Sequence, residues 1–411
     1  MPARTGPRIV VIGAGVAGLA CAADLTAAGA TVRLLEAGDA VGGRMRTDRH
    51  GEFLLDRGFQ VFNTSYPQVQ RRINLRALQL RPFTPGMLLH TSQGRVRFTD
   101  PSRQPRESRD VLAGRPGKHR DLAALAALSA RDMLEPASRI RHRRDQTTLT
   151  ALRRSGISRE MIEQMFRPFL AGVFLEDELV TSSRFFHLVW RSMLRGTLCL
   201  PRRGIQAVPE QLAAAMPAGT IRLETPVSQL TGEGVVLSDG TERAADVVVV
   251  ATGPAAAARL LPGLQVPATR TVTTLYHAAP ASPLAEPTLL VDAERQILNT
   301  VVLSEVTPGY AGDGRALIST SVLGGGSEKL EAAVRARLAT LYQAETGDWE
   351  HLATYTVAGA LPDMSAPHPL IRGCRVGPGR YVCGDHRATG SVQGALASGT
   401  RAAREVLATA G

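Results

Sequence analysis

Apolar positions fall into three groups along the chain, and the first lies close to its start. The run Ile9–Ile12 is typical of a buried parallel strand, and three closely spaced glycines follow it at once. A mostly apolar helix is then expected to about Ala28, ending at Gly29, with a second apolar strand at Thr31–Leu35. These elements predict one strand-helix-strand unit of a parallel α/β sheet.

The second group lies in the middle of the chain and the third at its end. The middle pattern predicts short β-strands, and Asp239-Gly240 between two of them predicts a hairpin turn. The expected strands are Ile221–Leu223, Gln229–Leu230, Val235–Leu237 and Val247–Ala251. At the end of the chain we expect a strand at Tyr381–Cys383, a Gly-Asp turn, and a helix from Ser391 onward.

The glycines after the first strand have the spacing of a phosphate-binding turn. Gly13, Gly15 and Gly18 form GxGxxG where the strand turns into the helix. The first permits a tight turn, the second lets the backbone approach a pyrophosphate, and the third lets helix and strand pack closely. Glu36 ends the second strand, where a carboxylate accepts hydrogen bonds from a ribose. The unit predicts dinucleotide binding and leaves NAD and FAD both open.

Composition excludes several other classes of protein. A chain of 411 residues is long enough for two or three domains, and no apolar stretch reaches the ~18 residues of a membrane span. The four cysteines lack CxxC pairing and the nine histidines are scattered, so we expect no disulfide framework, no metal site and a cytoplasmic location. A basic, apolar start also suits a signal peptide, but the glycine register favours the nucleotide unit.

A second glycine-rich stretch, AGDAVGGRMRT, comes directly after Glu36. Gly42 and Gly43 allow close backbone approach, and Arg44 offers a fork of donors to a phosphate. The order GxGxxG, Glu, GGR resembles the flavin amine oxidase, phytoene desaturase and protoporphyrinogen oxidase-like superfamily of FAD-dependent oxidoreductases. This resemblance implies that FAD is the cofactor.

The same resemblance assigns further residues to the cofactor. By position, Asp385 would bind the ribityl or pyrophosphate region, and amides near Ser391 and Val392 would point at the flavin, where a helix N-terminus stabilises negative charge. A backbone contact to adenine is implied at Val227. The remaining candidates for the cofactor environment are Val16, Ala17, Ala37, Asp56, Gly58, Phe59, Gln60, Ala251, Thr252, Gly253, Gly384 and Ala395.

The superfamily implies an α/β fold in which a discontinuous Rossmann-type FAD-binding domain carries an inserted α+β substrate-binding domain. The FAD-binding domain is then expected at residues 1–83, 195–262 and 366–411. The substrate domain is expected at residues 84–194 and 263–365.

The substrate side offers fewer signals. Six aromatic residues from Phe166 to Trp190 either line an apolar channel or form domain core. Amine oxidases of this superfamily hold a lysine near the flavin on a substrate-domain strand. Lys118 and Lys329 are the lysines of this chain, and neither lies in the matching segment, Arg270–Ala279. An amine oxidase of the usual design is therefore disfavoured.

Catalysis then depends mainly on positioning, because hydride removal needs no strong protein base when the C–H bond is held against the flavin. His386 and Gln60 are the candidates for polar catalytic groups. We expect an oxidase or desaturase-like dehydrogenase acting on a largely apolar small molecule, with oxygen or a quinone as electron acceptor. The alternatives are a redox-neutral isomerase or mutase, an amine oxidase, and a membrane-associated flavin-binding protein without turnover.

The net charge of +11 is unevenly spread. Between Arg95 and Gln146 there are 13 basic and 7 acidic residues, including the run RIRHRR at Arg139–Arg144. With the apolar stretch LAALAALSA, this segment could dock on anionic lipid or form a solvated basic insert. Nucleic-acid binding is not expected, since no groove-reading or stacking motif accompanies the charge.

Overall fold

A six-stranded sheet carries the N-terminal strand-helix-strand unit in the computed structural model, which describes residues 7–99 and 118–410. Neighbouring strands are parallel except for one antiparallel pair at an edge. In spatial order the strands are Ile221–Arg222, Thr31–Leu35, Arg8–Ile12, Val247–Val250, Arg380–Val382 and Arg375–Gly377. The three apolar groups predicted along the chain therefore meet in one sheet.

This sheet is buried on both faces, which explains why its strands read as continuous apolar runs. On one face, Ile9 and Val11 pack under the helices Val16–Ala27 and Val392–Ala410. On the other face, Val10 and Ile12 pack with Val235 and its neighbours from a small three-stranded sheet.

A seven-stranded sheet forms the second large layer. Its neighbouring strands are antiparallel apart from one parallel pair, Met87–Thr91 with Leu290–Asp292. In spatial order the strands are Glu350–Pro362, Thr269–Ala279, Ala316–Leu323, Asn299–Val302, Leu290–Asp292, Met87–Thr91 and Gly94–Phe98.

Smaller antiparallel sheets and the helices complete the described chain. The small sheets pair Val227–Leu230, Gly234–Leu237 and Glu242–Ala244; Thr47–His50 and Phe53–Asp56; and Phe62–Asn63, Leu198–Leu200 and Arg81–Pro82. The α-helices are Val16–Ala27, Pro67–Arg72, Lys118–Leu134, Ala137–His142, Thr148–Arg154, Arg159–Met161, Arg167–Phe174, Ser183–Arg195, Ala207–Ala214, Pro254–Leu260, Leu303–Val306, Leu330–Tyr342 and Val392–Ala410. A π-helical turn spans Ile162–Phe166, and 3-10 turns span Pro308–Tyr310 and Asp385–Arg387.

The first and last helices approach each other closely because small residues face each other. A Cβ placed on Gly399 would lie 2.1 Å from the carbonyl oxygen of Ala17. Only glycine permits this spacing, which fixes the C-terminal helix beside the glycine-rich turn at the start of the chain.

The α/β class predicted from the sequence is confirmed, with small shifts in element bounds. The first helix ends at Ala27, one residue before the predicted end. Within the described ranges, the helices are too short or too polar to cross a membrane, and the His, Cys, Asp and Glu side chains form no cluster suited to a metal ion. Part of the basic segment, residues 100–117, lies outside the described residues.

Candidate cofactor and substrate site

The turn after the first strand is shaped by its glycines. Gly13 adopts a φ of +102°, which favours glycine. A Cβ on Gly18 would lie 1.9 Å from the carbonyl oxygen of Gly13, so the helix packs tightly against the turn. A Cβ on Gly15, in contrast, would meet no atom within 4 Å. The backbone at Gly15 therefore borders open space at the start of the helix Val16–Ala27, and Ala17 lies buried in that first turn.

Glu36 lies against the same turn. One carboxylate oxygen accepts a hydrogen bond from the backbone N–H of Ala14 at 2.6 Å, and the other accepts from Gly38 at 2.9 Å. Ala37, which lies between Glu36 and Gly38 in the chain, is exposed. The carboxylate is thus held at the end of its strand beside the glycine turn, and each oxygen keeps lone pairs for a further donor.

The second glycine-rich stretch reaches the first one. The N–H of Gly42 donates to the carbonyl oxygen of Ala14 at 2.9 Å. A Cβ on Gly43 would lie 3.3 Å from the Cα of Gly15. Both Gly42 and Gly43 have positive φ, at 122° and 60°. Two backbone segments without side chains therefore face each other across the turn.

Arg44 joins three distant parts of the chain. Its guanidinium donates to the Asp385 carboxylate at 2.6 Å and to the carbonyl oxygen of Ala360 at 2.6 Å. The side-chain amide of Gln60 donates to the carbonyl oxygen of Arg44 at 2.7 Å. The GGR stretch, the Gln60 loop, the long strand Glu350–Pro362 and the C-terminal motif consequently meet at Arg44.

The C-terminal motif buries a histidine without a partner. His386 is 1% exposed, and neither ring nitrogen has a hydrogen-bond partner in the structure. Burial lowers the pKa of His386 to about 4, so the ring is neutral at pH 7. Gly384, with a φ of 150°, leaves room for this ring, because a Cβ there would lie 2.5 Å from it. Asp385 is buried and bonded to Arg44.

The last helix begins beside this motif. Val392 is its first residue, and the Ser391 hydroxyl accepts a hydrogen bond from the N–H of Gly394 at 3.0 Å. Ala395 is buried in the core under the helix. The N-terminus of a 19-residue helix therefore lies close to Asp385 and His386 in the chain.

The strand Val247–Val250 brings the ATG segment to the glycine turn. A Cβ on Gly13 would lie 3.0 Å from the carbonyl oxygen of Ala251 and 3.3 Å from the nitrogen of Thr252. Gly253 is exposed and precedes the helix Pro254–Leu260. Val227 lies on the small three-stranded sheet and packs on the opposite face of the parallel sheet from the N-terminal helix.

Asp56 belongs to a buried network of protein groups. Its carboxylate accepts hydrogen bonds from Thr47 Oγ1 at 2.6 Å, the Ile205 N–H at 3.0 Å and the Tyr310 hydroxyl at 2.9 Å. Its carbonyl oxygen accepts from Tyr276 at 2.7 Å. Burial raises the pKa of Asp56 to about 6. The sequence indicated a carboxyl in the flavin environment, whereas the structure gives both of its oxygens protein partners.

Apolar side chains lie directly behind the Gly58–Gln60 loop. A Cβ on Gly58 would lie 3.4 Å from Val357 Cγ2. Val357 in turn packs against a buried apolar cluster formed by Ala171, Leu175, Val272 and Leu298. Phe59 stacks edge-on against Phe83, with ring centroids 6.2 Å apart. The polar cofactor segments and an apolar region of the seven-stranded sheet therefore meet at this loop.

All six aromatics singled out by the sequence lie in one hydrophobic core cluster or pack against it. Phe166, Phe186 and Trp190 pack against one another, with ring centroids 5.6 to 6.4 Å apart. Phe174 and Phe185 also line a small pocket beside Gly390. The aromatic segment thus supplies both core and cavity wall, as the two interpretations of the sequence allowed.

The strand Thr269–Ala279 was compared with the lysine-bearing strand of amine oxidases. His277 points away from the loop, because its Nε2 lies 3.1 Å from Glu331 on the helix Leu330–Tyr342. Thr274, on the other face of this strand, accepts from the Phe59 N–H at 3.4 Å. Sequence reasoning did not identify Thr274, because its neighbour Phe59 comes from a distant segment.

The arrangement fits FAD. The open space at Gly15, the facing glycines and the Glu36 carboxylate suit a pyrophosphate and ribose. The buried ring of His386 supplies two ring nitrogens without protein partners next to Asp385, and the last helix begins a few residues further on, at Val392.

Comparisons with solved structures show the same fold. An oxidoreductase from Methanosarcina mazei matches with a TM-score of 0.72 at 18% identity, over 98% of this chain and 100% of that one. Cyclohexylamine oxidase from Brevibacterium oxydans matches with a TM-score of 0.69 at 17% identity, over 98% of this chain and 99% of that one. These matches confirm the predicted α/β fold with its Rossmann-type FAD-binding part.

Sequence relatives match over a shorter segment. The L-amino acid oxidase Cdc18 of Crotalus durissus cumanensis is 40% identical over 75 residues, which is 18% of this chain. That segment is 15% of the length of the relative, so the chain matches only a small part of this curated protein.

A family model settles the membership of the chain. The model described as flavin containing amine oxidoreductase matches residues 16–407. This match confirms the superfamily, the FAD cofactor and the oxidoreductase class that the sequence predicts. The chain therefore belongs to the family of flavin-containing amine oxidoreductases.

Proposed function

We propose that this chain dehydrogenates a largely apolar organic substrate, using FAD to accept a hydride from a substrate C–H bond and oxygen or a quinone as the final electron acceptor. The observation that carries the proposal is the meeting of polar and apolar surfaces at the Gly58–Gln60 loop. Arg44 and Gln60 lie on its polar side, while Val357 and its apolar cluster lie behind Gly58.

Segments from both ends and the middle of the chain would hold the cofactor. The pyrophosphate would lie against the turn formed by Gly13, Gly15 and Gly18 with Val16 and Ala17. Glu36 would bind the ribose. Gly42, Gly43, Arg44 and Asp385 would border the phosphate and ribityl region. The flavin ring would be surrounded by Ser391, Val392 and Ala395 and by Gly58, Phe59 and Gln60. The adenine side would be bordered by Val227 and Ala251–Gly253.

His386 and Gln60 are our candidates for polar groups at the reacting centre. His386 is neutral over most of the pH range because burial lowers its pKa to about 4, so it can donate or accept one hydrogen bond but holds no charge. Gln60 is fixed by its bond to the Arg44 carbonyl. Neither is a strong base, which suits a reaction driven by positioning and exclusion of water.

The assignment of domains follows from the sheets. We propose that residues 1–83, 195–262 and 366–411 form the FAD-binding domain, because the six-stranded sheet takes its strands from these ranges. Residues 84–194 and 263–365 would form the substrate domain, which contains the seven-stranded sheet.

Reduction of the flavin by substrate tests the proposed function. The FAD-loaded protein is mixed without oxygen with polyene, porphyrinogen and amine candidates, and its visible absorbance is followed. We expect bleaching by an apolar candidate and recovery of colour when oxygen or a quinone is added. A redox-neutral isomerase would convert a candidate with no lasting bleaching, and a binding protein without turnover would do neither, so either result contradicts the proposal.

Amine oxidation is the second candidate function. It is favoured by the solved neighbours, which include cyclohexylamine oxidase and putrescine oxidase. The absence of lysine from the strand Thr269–Ala279 weighs against the usual amine oxidase design. Bleaching by amines alone would favour this candidate.

Peripheral contact with an anionic membrane belongs to the same proposal. Leu134 is 80% exposed and Met133 40% exposed at the end of the helix Lys118–Leu134, and Arg139 and Arg141 are exposed on the next helix. Apolar and basic side chains together favour anionic lipid. Co-sedimentation with phosphatidylserine vesicles, lost at high salt, is expected; no binding at low salt would contradict it.

A further inference from the structure

Two cavities on the substrate side share Arg270 as a wall. The outer cavity has a volume of about 260 Å³, opens to solvent, and lies between the loop after the helix Arg167–Phe174 and the start of the strand Thr269–Ala279. The inner pocket has a volume of about 10 Å³, which is room for about one water. Its other walls are Phe174, Thr181, Phe185, Leu361, Pro362, Met364 and Gly390.

The inner pocket adjoins the C-terminal cofactor motif. The N–H of Gly390 lies 3.2 Å from the Met364 sulfur, and a Cβ on Gly390 would lie 3.2 Å from Pro362. The neighbouring carbonyl of Ala360 accepts from Arg44. A mostly apolar pocket therefore separates Arg270 from the segment that we assign to the flavin.

Arg270 is held by the protein on one side only. Its Nη2 donates to Asp363 Oδ1 at 3.2 Å and lies 3.5 Å from the Ser365 hydroxyl. That same Asp363 oxygen accepts two shorter bonds from Ser365, at 2.8 and 2.6 Å. Among the described residues, Nε and Nη1 of Arg270 make no hydrogen bond, and the side chain is 30% exposed. The guanidinium thus has donors left for a ligand.

Three carboxylates line the outer cavity, and protein groups compensate two of them. Glu176 accepts hydrogen bonds from the N–H groups of Glu178 and Thr181 and from the Thr181 hydroxyl. Asp177 pairs with Arg295 at 3.2 Å. Glu178 is exposed. Among the described residues that line the outer cavity, Arg270 is the cationic one, and its guanidinium has hydrogen-bond donors to spare.

We propose that the outer cavity binds an organic carboxylate with an apolar body and that Arg270 is the specificity-determining residue that holds the carboxylate. The inference rests on the proposed function, because it takes the inner pocket as the path to the flavin. A substrate carboxylate would compete with Asp363 for the guanidinium. Nothing larger than a water fits the inner pocket while Arg270 lines it, so movement of Arg270 onto the substrate would widen the path.

Binding to the FAD-loaded protein tests the proposal without turnover. The probes are phenylacetate, the neutral phenylacetamide of the same shape, and the cationic phenethylamine. Binding is followed by calorimetry and by the change in flavin absorbance. The variants are Arg270→Gln and Asp363→Asn. Arg315→Gln is the matched control, because Arg315 is also ion-paired and partly exposed. It directly precedes the strand Ala316–Leu323, whose first residue pairs with Ala279, at the far end of the strand that begins beside Arg270.

We expect phenylacetate to bind best to the unmodified protein. Arg270→Gln should weaken it about tenfold or more, the usual effect of losing a charge-assisted hydrogen bond. Asp363→Asn should tighten phenylacetate binding several-fold, because the carboxylate that competes for Arg270 is gone while the hydrogen bonds from Ser365 can remain. Arg315→Gln should leave it within about twofold, as for a surface ion pair.

Several results would overturn the proposal. They are no binding of phenylacetate to the unmodified protein, equal binding to Arg270→Gln, or tighter binding of the amide or the amine. If Arg270→Gln does not fold, Asp363→Asn decides, and unchanged or weaker binding there rejects the proposal. If the Arg270 dependence holds but no substrate ever bleaches the flavin, the proposed function fails and the carboxylate site stands.

Discussion

At the scale of single residues, Asp56 shows how burial changes the pKa of a carboxyl group. The family resemblance predicts Asp56 in the cofactor environment, and in the structure its carboxylate accepts hydrogen bonds from Thr47, Ile205 and Tyr310. Burial, the largest effect, raises the pKa of Asp56 to about 6 from 3.8, and these hydrogen bonds offset part of the increase.

This carboxyl should give stability a specific pH dependence. Because the folded protein holds the Asp56 proton more tightly than the unfolded chain, its contribution is full below pH 3.8 and is lost as pH rises through about 6. As the pH rises from 3.8 to about 6, we expect the unfolding free energy of the unmodified protein to fall by on the order of 3 kcal/mol relative to that of Asp56→Asn. Urea unfolding of both apoproteins near the two ends of the range measures it.

Buried histidines act in the opposite direction and cancel in this comparison, and His277 and His386 are the two with large pKa shifts. Burial lowers the pKa of His277 and of His386 to about 4, so their contributions to stability are lost as pH falls from about 6.5 toward 4. Both are present in the protein and in Asp56→Asn. A pH dependence that is the same in the two proteins would contradict the assignment to Asp56.

At the scale of elements, Arg44 connects the GGR turn, the strand Glu350–Pro362 and the C-terminal motif. Removing it would leave the Asp385 carboxylate, only 6% exposed in its side chain, without its ion-pair partner. A buried charge that loses its partner is strongly destabilising.

We therefore expect Arg44→Met to lower the unfolding free energy by about 2 to 4 kcal/mol and to weaken FAD binding. The matched control is Arg8→Met, because Arg8 and Asp246 form an ion pair of similar length, 2.9 Å, with both side chains about half exposed. That change should cost much less than Arg44→Met, because an exposed ion pair contributes little to stability. Equal losses in the two variants, measured by urea unfolding, would show that Arg44 is not a structural link.

Sequence patterns predicted those elements whose signals are local. The strand, glycine turn, helix and second strand at the start of the chain follow from apolar runs and glycine spacing within a short segment, and the structure places them as expected. The bond from Arg44 to Ala360 joins residues 316 positions apart, and no local pattern encodes such a contact. For the same reason Arg270, Thr274 and the partners of Asp56 were found only from the structure.

At the scale of the whole molecule, the proposed cofactor segments come from both ends and the middle of the chain. FAD bound among them would stabilise the folded state, since a ligand that binds only the native protein raises its stability with concentration. At a free FAD concentration about 100 times the dissociation constant, the gain should be roughly 2.7 kcal/mol.

Thermal unfolding of the apoprotein over a series of FAD concentrations measures this gain. We expect the midpoint to rise continuously with FAD, and to rise much less with AMP, which lacks the flavin half. An equal rise with AMP at the same free concentration as FAD would mean that the C-terminal motif and the Gln60 loop add nothing to cofactor binding.

The claim on which the site depends is that Gly15 borders the cofactor phosphates, and FAD affinity of Gly15→Ala tests it. Gly15 has a φ of −67° and open space around a Cβ, so alanine should fold without strain. Gly347→Ala, also in open space, is the control. Fluorescence titration of the apoproteins should show FAD binding at least about tenfold weaker in Gly15→Ala and unchanged in Gly347→Ala. Unchanged FAD affinity in Gly15→Ala would contradict the proposed site.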